Sequence, residues 1–178
     1  MGIYNEKYIA RCLKKLKSWN APLDGWYCEE VIDTGDAYEI CELCGCSSVR
    51  YVHVMHHDDY FESIEVGCIC AGIMEGDIMA AQERERQIKN RTNRKKTFID
   101  KTWTDTRKDS IKLKFKGRFC LICKASNSYG TSHYYGYVNG EQMRVDRRTS
   151  FPTVESLKNV MFDYIDPPLG YEVYDRRK

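Results

Sequence analysis

The sequence predicts an α+β protein in which a helix and a small cysteine-rich module come first and an antiparallel sheet with one helix comes last. Two pairs of closely spaced cysteines enclose a segment in which apolar and polar residues alternate as in two strands joined by a turn. After residue 103, apolar and polar residues again alternate strictly, and a helical pattern follows. With 178 residues, 42% of them hydrophobic, the chain can form one compact domain or two small ones.

An amphipathic helix is predicted near the N-terminus, because apolar side chains recur there every three or four residues. They are Tyr4, Tyr8, Ile9, Cys12, Leu13 and Leu16. Cys12 lies on this apolar face, so we predict that it is a core residue rather than a metal ligand. Beyond Pro22, glycines and short alternating segments predict one or two strands before residue 40.

The central motif pairs Cys41 with Cys44 and Cys68 with Cys70, across 23 intervening residues. Zn²⁺ binds four thiolates in a tetrahedron, and a two-residue gap lets a tight turn direct both sulfurs to one point. We expect Cys68 and Cys70 to point to the same side of a strand end. The spacing therefore predicts a zinc ribbon whose four cysteines hold a structural Zn²⁺.

Other potential ligands in the same window leave the ligand set open. Cys46 follows the first pair directly, and His53 falls on the strand predicted over residues 49–55. Either residue could replace a cysteine. His56 and His57 follow, although a single histidine is more often a solvated or hydrogen-bonded side chain than a ligand.

A second helix is predicted after the last cysteine pair, with Asp77 as its N-cap. It continues through a strongly basic stretch in which Ile88 is the sole apolar residue between Ala81 and Phe98. This pattern predicts a solvated helix or arm rather than part of the core.

The C-terminal part alternates between apolar and polar residues as strands do. The predicted strands cover residues 111–116, 119–123, 134–138 and 142–145. Asn139 and Gly140 form a hairpin turn between the last two, and Thr153 caps a final helix. Cys120 and Cys123 lie within an apolar strand, which favours packed thiols over a metal or redox site.

These elements divide the sequence into three parts. Residues 1–83 form an acidic helix-plus-zinc-ribbon module, residues 84–102 form a basic helical connector, and residues 103–178 form a unit of sheet plus helix. Charge follows the division, since residues 1–18 carry +4, residues 19–83 carry −13, residues 84–118 carry +10 and residues 119–178 carry +1. Such segregation indicates charged partners.

Two charged surfaces are candidates for binding. The acidic surface that we expect to bind a partner comprises Asp33, Asp36, Glu39, Glu42, Asp58, Asp59, Glu62 and Glu65. The basic arm that could follow the phosphates of RNA or DNA comprises Arg84, Arg86, Lys89, Arg91, Arg94, Lys95, Lys96, Lys112, Lys114 and Lys116. Four thiolates around zinc add about two negative charges, so the module should be attracted to a basic partner.

Catalysis is not expected. No phosphate-binding glycine loop and no Ser-His-Asp or Cys-His pattern is visible. Histidines beside a zinc knuckle invite comparison with HNH-type nucleases, but that motif is not recognisable, and a nuclease is the least favoured alternative. No apolar run approaches the length of a membrane helix, and the N-terminus lacks the apolar core of a signal peptide, which predicts a soluble cytoplasmic protein.

The motifs CxLCG, xVRYVHVMHHxxY and xxVGCICAGxM resemble a zinc-ribbon segment of uncharacterised proteins from phages and other bacterial mobile elements. The resemblance covers about residues 26–166 and places Cys41, Cys44, Cys68 and Cys70 at the metal-ligand positions. This sequence departs from the pattern at Cys46. The resemblance implies a small protein that modifies host machinery in the bacterial cytoplasm, a class that includes inhibitors of CRISPR effector nucleases.

Charge and resemblance together predict a non-enzymatic binding protein. It would engage a basic nucleic-acid-handling protein or nucleoprotein complex, and CRISPR effector nucleases are candidate partners. The predicted purpose is the inhibition of a bacterial defence nuclease. The alternative is a regulator that binds nucleic acid through the basic arm.

Overall fold

The computed structural model describes residues 6–36, 38–106, 109–168 and 170. It contains α-helices and antiparallel sheets in two compact units, so the predicted α+β class is confirmed. Among the described residues, unit 1 comprises residues 6–36, 38–89 and 170, and unit 2 comprises residues 90–106 and 109–168. Within the described part of the chain, no helix is both long enough and apolar enough to cross a lipid bilayer.

Unit 1 is a three-stranded antiparallel sheet with helices. Its elements are α1 (Glu6–Ser18), β1 (Tyr27–Asp33), β2 (Tyr51–His57), β3 (Tyr60–Val66), α2 (Cys68–Glu75) and the first half of α3 (Ile78–Asp100). β2 is the central strand. The predicted hairpin between the cysteine pairs is therefore present, as strands β2 and β3.

The core of unit 1 forms around β2, in which residues 51–55 are all buried. Val52 and Met55 belong to the larger apolar cluster, together with side chains of α1 and α2. Tyr51 belongs to a smaller cluster with Val31 and Ile88. Each large side chain that is fully buried stabilises the fold by about 1.5–3 kcal/mol.

Unit 2 is a five-stranded antiparallel sheet in sequence order, with one helix packed on it. Its elements are β4 (Thr104–Asp105), β5 (Ser110–Phe115), β6 (Arg118–Ser126), β7 (Ser132–Val138), β8 (Glu141–Gln142) and α4 (Val154–Ile165). Strand β4 was not predicted, because two exposed residues carry no alternating pattern.

Two predicted helix caps and one predicted turn are confirmed. The Ala80 amide donates to Asp77 Oδ1 at 2.9 Å, and the Ser156 amide donates to Thr153 Oγ1 at 3.0 Å. Asn139 and Gly140 have φ values of 50° and 86°. Two consecutive positive φ values are typical of a tight turn that matches the twist of its strands.

The prediction that the basic stretch of α3 is solvated is wrong, because its few apolar side chains are widely spaced but share a face. Ala81, Ile88, Arg91 and Phe98 are all buried. Within unit 2, the Phe98 ring lies 4.9 Å from the Phe115 ring and 5.8 Å from the Phe162 ring, between centroids. Spacings of seven, three and seven residues keep these positions on one side of a helix.

The expectation that Cys68 and Cys70 lie at a strand end is also wrong. Both residues are in the first turn of α2, which starts directly after strand β3. Residues two apart in an α-helix point about 200° apart around its axis, whereas those in a strand share a side. The two thiols are therefore directed to different places.

We predict that Gly72→Ala destabilises unit 1. A Cβ at this position would lie 2.4 Å from the Ile78 Cα atom, so the turn between α2 and α3 would have to shift. The expected loss in free energy of unfolding is about 1–3 kcal/mol, measured by urea denaturation. Gly170→Ala is the control, because its Cβ would meet no atom of the described residues within 4 Å. Equal stability of the two variants would contradict this close packing.

Candidate functional site: two groups of metal-binding side chains

The segment from Cys41 to Cys46 forms a tight knuckle. The Gly45 amide donates to the Cys41 carbonyl at 2.7 Å, and the Cys41 amide donates to the Cys46 carbonyl at 2.8 Å. Gly45 has φ of 76°, a conformation that favours glycine. This closed turn directs the side chains of Cys41 and Cys44 to the same point.

Three of the four predicted cysteine ligands come together. The sulfurs of Cys41, Cys44 and Cys70 all lie within 4.8 Å of one another and could hold a metal ion. Sulfurs around a tetrahedral Zn²⁺ are about 3.8 Å apart, given Zn–S bonds of about 2.3 Å. Cys41 and Cys70 are each 1% exposed, so the group is closed to solvent on most sides.

Hydrogen bonds prepare the Cys41 sulfur for ionisation. A hydrogen bond with Cys70, and others from the backbone amides of Gly67 and Cys44, lower the pKa of Cys41 to about 5. The same contact with Cys41 raises the pKa of Cys70. Within the group, these contacts favour the thiolate form of Cys41 over that of Cys70.

Helix α1 brings two further side chains to this group. The Tyr8 hydroxyl lies 3.1 Å from the Cys70 sulfur. The thiol of Cys12 is fully buried, and burial raises its pKa, while the neighbouring Cys70 side chain lowers it. The sequence predicts Cys12 as a core residue, because its helical spacing is the same for a packed thiol and for a ligand.

The fourth predicted ligand, Cys68, belongs to a second group. Its sulfur, a ring nitrogen of His53 and a carboxylate oxygen of Glu85 lie within 4.8 Å of one another and could also hold a metal ion. Burial raises the pKa of Cys68 to about 12 and lowers that of His53. Glu85 was not predicted, since a glutamate in a basic helix has the pattern of an ordinary ion-pair partner.

The remaining candidate ligands are in neither group. Cys46 is exposed. The His56 Nε2 atom lies 2.7 Å from a Glu29 carboxylate oxygen, and His57 Nδ1 accepts a hydrogen bond from the Asp59 amide at 2.9 Å. Cys120 and Cys123, three apart on β6, face opposite sides of the strand, and Cys120 is buried.

Most of the predicted acidic surface is accessible. Its exposed members are Asp36, Glu42, Asp58, Asp59, Glu62 and Glu65. Asp33 and Glu39 are half-buried, and Asp33 Oδ1 lies 2.8 Å from Arg50 Nε. Phe61 stands fully exposed beside Glu62 on β3.

The basic arm is largely neutralised by acidic residues within the same unit. In unit 1, Arg84 pairs with Glu75, Arg86 with Glu83, and Lys89 with Glu85. In unit 2, Arg91 and Lys95 pair with Asp163, and Arg94 and Lys116 pair with Asp166. Hydrogen bonds from Arg94 and Lys116 lower the pKa of Asp166. Lys96, Lys112 and Lys114 are exposed.

Comparisons with known proteins return no match to this chain among family models, curated proteins or solved structures. The resemblance to phage zinc-ribbon proteins stays a prediction from the motifs.

We predict that Arg91 stabilises the fold rather than binding phosphate. It is 6% exposed, lies 2.6 Å from Asp163 and donates to the Asp166 carbonyl. Arg91→Ala should lower the free energy of unfolding by about 2–3 kcal/mol, because Asp163 loses its closest cation. Lys112→Ala, at an exposed position, should change it by less than about 0.5 kcal/mol. Urea denaturation measures both, and a fully stable Arg91→Ala would contradict the assignment.

Proposed function

We propose that unit 1 is stabilised by a structural Zn²⁺ bound through Cys41, Cys44, Cys70 and Cys12. The proposal modifies the predicted zinc ribbon, because the second half of the ligand set comes from helices α1 and α2 instead of a second knuckle. Three converging thiols, with the buried Cys12 thiol of α1 as the neighbour of Cys70, are the soft donors that zinc prefers. Backbone amide bonds to Cys41 favour the thiolate that binds.

Such a site supports the fold and not catalysis. Four protein thiolates leave no open position for water or substrate. Cys12, Cys41 and Cys70 are buried, and the ion would join α1, the knuckle and α2. Binding of the metal would therefore be coupled to folding of this unit.

Cys12→Ser tests the ligand set, with the exposed Cys46→Ser as control. We expect Cys12→Ser to lose one equivalent of zinc, measured by mass spectrometry of the native protein, and to unfold at a lower temperature. Cys46→Ser should keep both the zinc content and the melting temperature of the natural protein. If Cys12→Ser retains its full zinc content, Cys12 is not a ligand.

We further propose that the protein acts by binding another protein through its acidic hairpin surface, which we define as Asp58, Asp59, Phe61 and Glu62. The observation that supports this is an exposed aromatic ring beside three exposed carboxylates, on a hairpin fixed by the core of unit 1. Aromatic side chains often anchor protein interfaces, and carboxylates attract basic partners.

The partner we propose is a basic nucleic-acid-handling protein or its nucleoprotein complex. Carboxylates on the hairpin would occupy sites that such a partner uses for phosphate groups. The resemblance to proteins of mobile elements extends the proposal to inhibition of a bacterial defence nuclease such as a CRISPR effector. Internal pairing of most basic-arm residues favours this hypothesis over direct binding of nucleic acid.

Charge reversal tests the surface. The variant Asp58→Lys, Asp59→Lys, Glu62→Lys should bind an immobilised Cas9-type nuclease, with and without guide RNA, at least about tenfold more weakly than the natural protein. Its zinc content should be unchanged.

The matched control reverses Asp100, Asp105 and Glu155, three exposed acids of unit 2, and should bind normally. Equal affinity of the two triple variants, or no binding by the natural protein, would refute this surface and partner. A mobility shift on mixed DNA and RNA at about 150 mM salt tests the rival, because strong binding there would favour the basic arm.

A further inference from the structure

A second metal-binding group lies in unit 1, apart from the three converging cysteines. It combines residues from three elements: His53 of β2, Cys68 at the start of α2, and Glu85 of α3. One donor atom from each lies within 4.8 Å of the other two. Nitrogen, sulfur and oxygen donors at such distances are a combination that zinc accepts.

The unpartnered nitrogen of His53 points to a missing ligand. His53 is fully buried, and its Nε2 atom has no hydrogen-bond partner in the part of the chain that the structure describes. The Glu85 Oε2 atom lies 3.6 Å away, which is too long for a hydrogen bond. Buried polar atoms without partners are rare in folded proteins, so this atom requires an explanation.

The surroundings of the other ring nitrogen favour a lone pair on Nε2. His53 Nδ1 lies 3.8 Å from the Cys28 sulfur, and the Cys28 thiol itself donates to the Glu30 carbonyl at 3.2 Å. Because the thiol hydrogen is used in that bond, the sulfur is left as an acceptor for Nδ1–H. Histidine ligands of metals are commonly oriented in this way by a contact at the second nitrogen.

Glu85 is also held in position. Its Oε1 atom pairs with Lys89 one turn later on α3, and its side chain is 17% exposed. Lys89 lies 5.4 Å from the centre of the Tyr51 ring, which restricts the lysine in turn. The arrangement leaves Oε2 directed towards His53.

We propose that His53 Nε2, Cys68 Sγ and Glu85 Oε2 bind a second zinc ion. Cys68 gives up its proton on binding, and the metal–sulfur, metal–nitrogen and metal–oxygen bonds replace the contact that Nε2 lacks. Three protein ligands leave a fourth position for water or a small anion. The first turn of α2 thus serves both ions, with Cys70 directed to one and Cys68 to the other.

The zinc content of the full-length protein tests this proposal. After loading with zinc and removal of excess metal, the natural protein should hold about two zinc ions per chain. Glu85→Gln and Cys68→Ser should each hold about one zinc ion per chain. The structural zinc should still stabilise both variants against thermal unfolding. Glu83→Gln, an isosteric change on the same helix outside the group, is the control and should hold about two zinc ions.

Other results would refute either the second zinc site or the structural zinc site, and they distinguish between the two. If Cys68→Ser loses zinc while Glu85→Gln does not, Cys68 belongs to the cysteine site and there is no second ion. A full zinc content in Glu85→Gln and Cys68→Ser, or about one zinc in the natural protein and in both variants, also overturns the proposal. If instead Cys41→Ser keeps the natural zinc content while Glu85→Gln loses its zinc, the second site stands and the structural one fails.

Discussion

The contact between Cys70 and the Cys41–Cys44 knuckle is the constraint on which the rest of unit 1 depends. The connection between β1 and β2 spans residues 34–50, and its described residues, 34–36 and 38–50, form no helix or strand. Leu43 and Val49 anchor it in the core of unit 1, whereas residues 45–48 between them are exposed. Long irregular connections in compact domains are usually functional or held by specific contacts. Metal coordination, with an apparent free energy of about 10–16 kcal/mol for structural zinc, would supply that contact.

Helix α2 is short, but it determines the positions of two potential metal ligands. Its first turn follows β3 directly, which places Cys70 beside the knuckle and Cys68 beside His53. Gly72 then allows the start of α3 to come close, and α3 carries Glu85. The same helix thus contributes to two groups of side chains that could hold a metal ion, one of thiols alone and one with nitrogen, sulfur and oxygen donors.

Local signals in the sequence predicted much of this fold, but they did not predict which potential ligands belong to which of the two metal-binding groups. Asp77, Thr153 and the Asn139–Gly140 turn act through neighbouring residues, so their roles can be read from the sequence. The role of Glu85 depends on a contact with residues 17 and 32 positions earlier. Cys68 was wrongly predicted to lie at a strand end, because a spacing of two residues between Cys68 and Cys70 is compatible with a strand and with a helix. The ion pairs of α3 likewise depend on acids distant in sequence, and charge counts alone did not reveal them.

X-ray absorption at the zinc edge of the purified protein tests the central claim most directly, because it reports which atoms surround the metal. The proposed zinc sites should give a shell dominated by sulfur at about 2.3 Å, with a smaller contribution of nitrogen and oxygen at about 2.0–2.2 Å. A shell of nitrogen and oxygen alone, or a folded protein that binds no zinc, would show that the cysteine group does not hold a structural zinc ion.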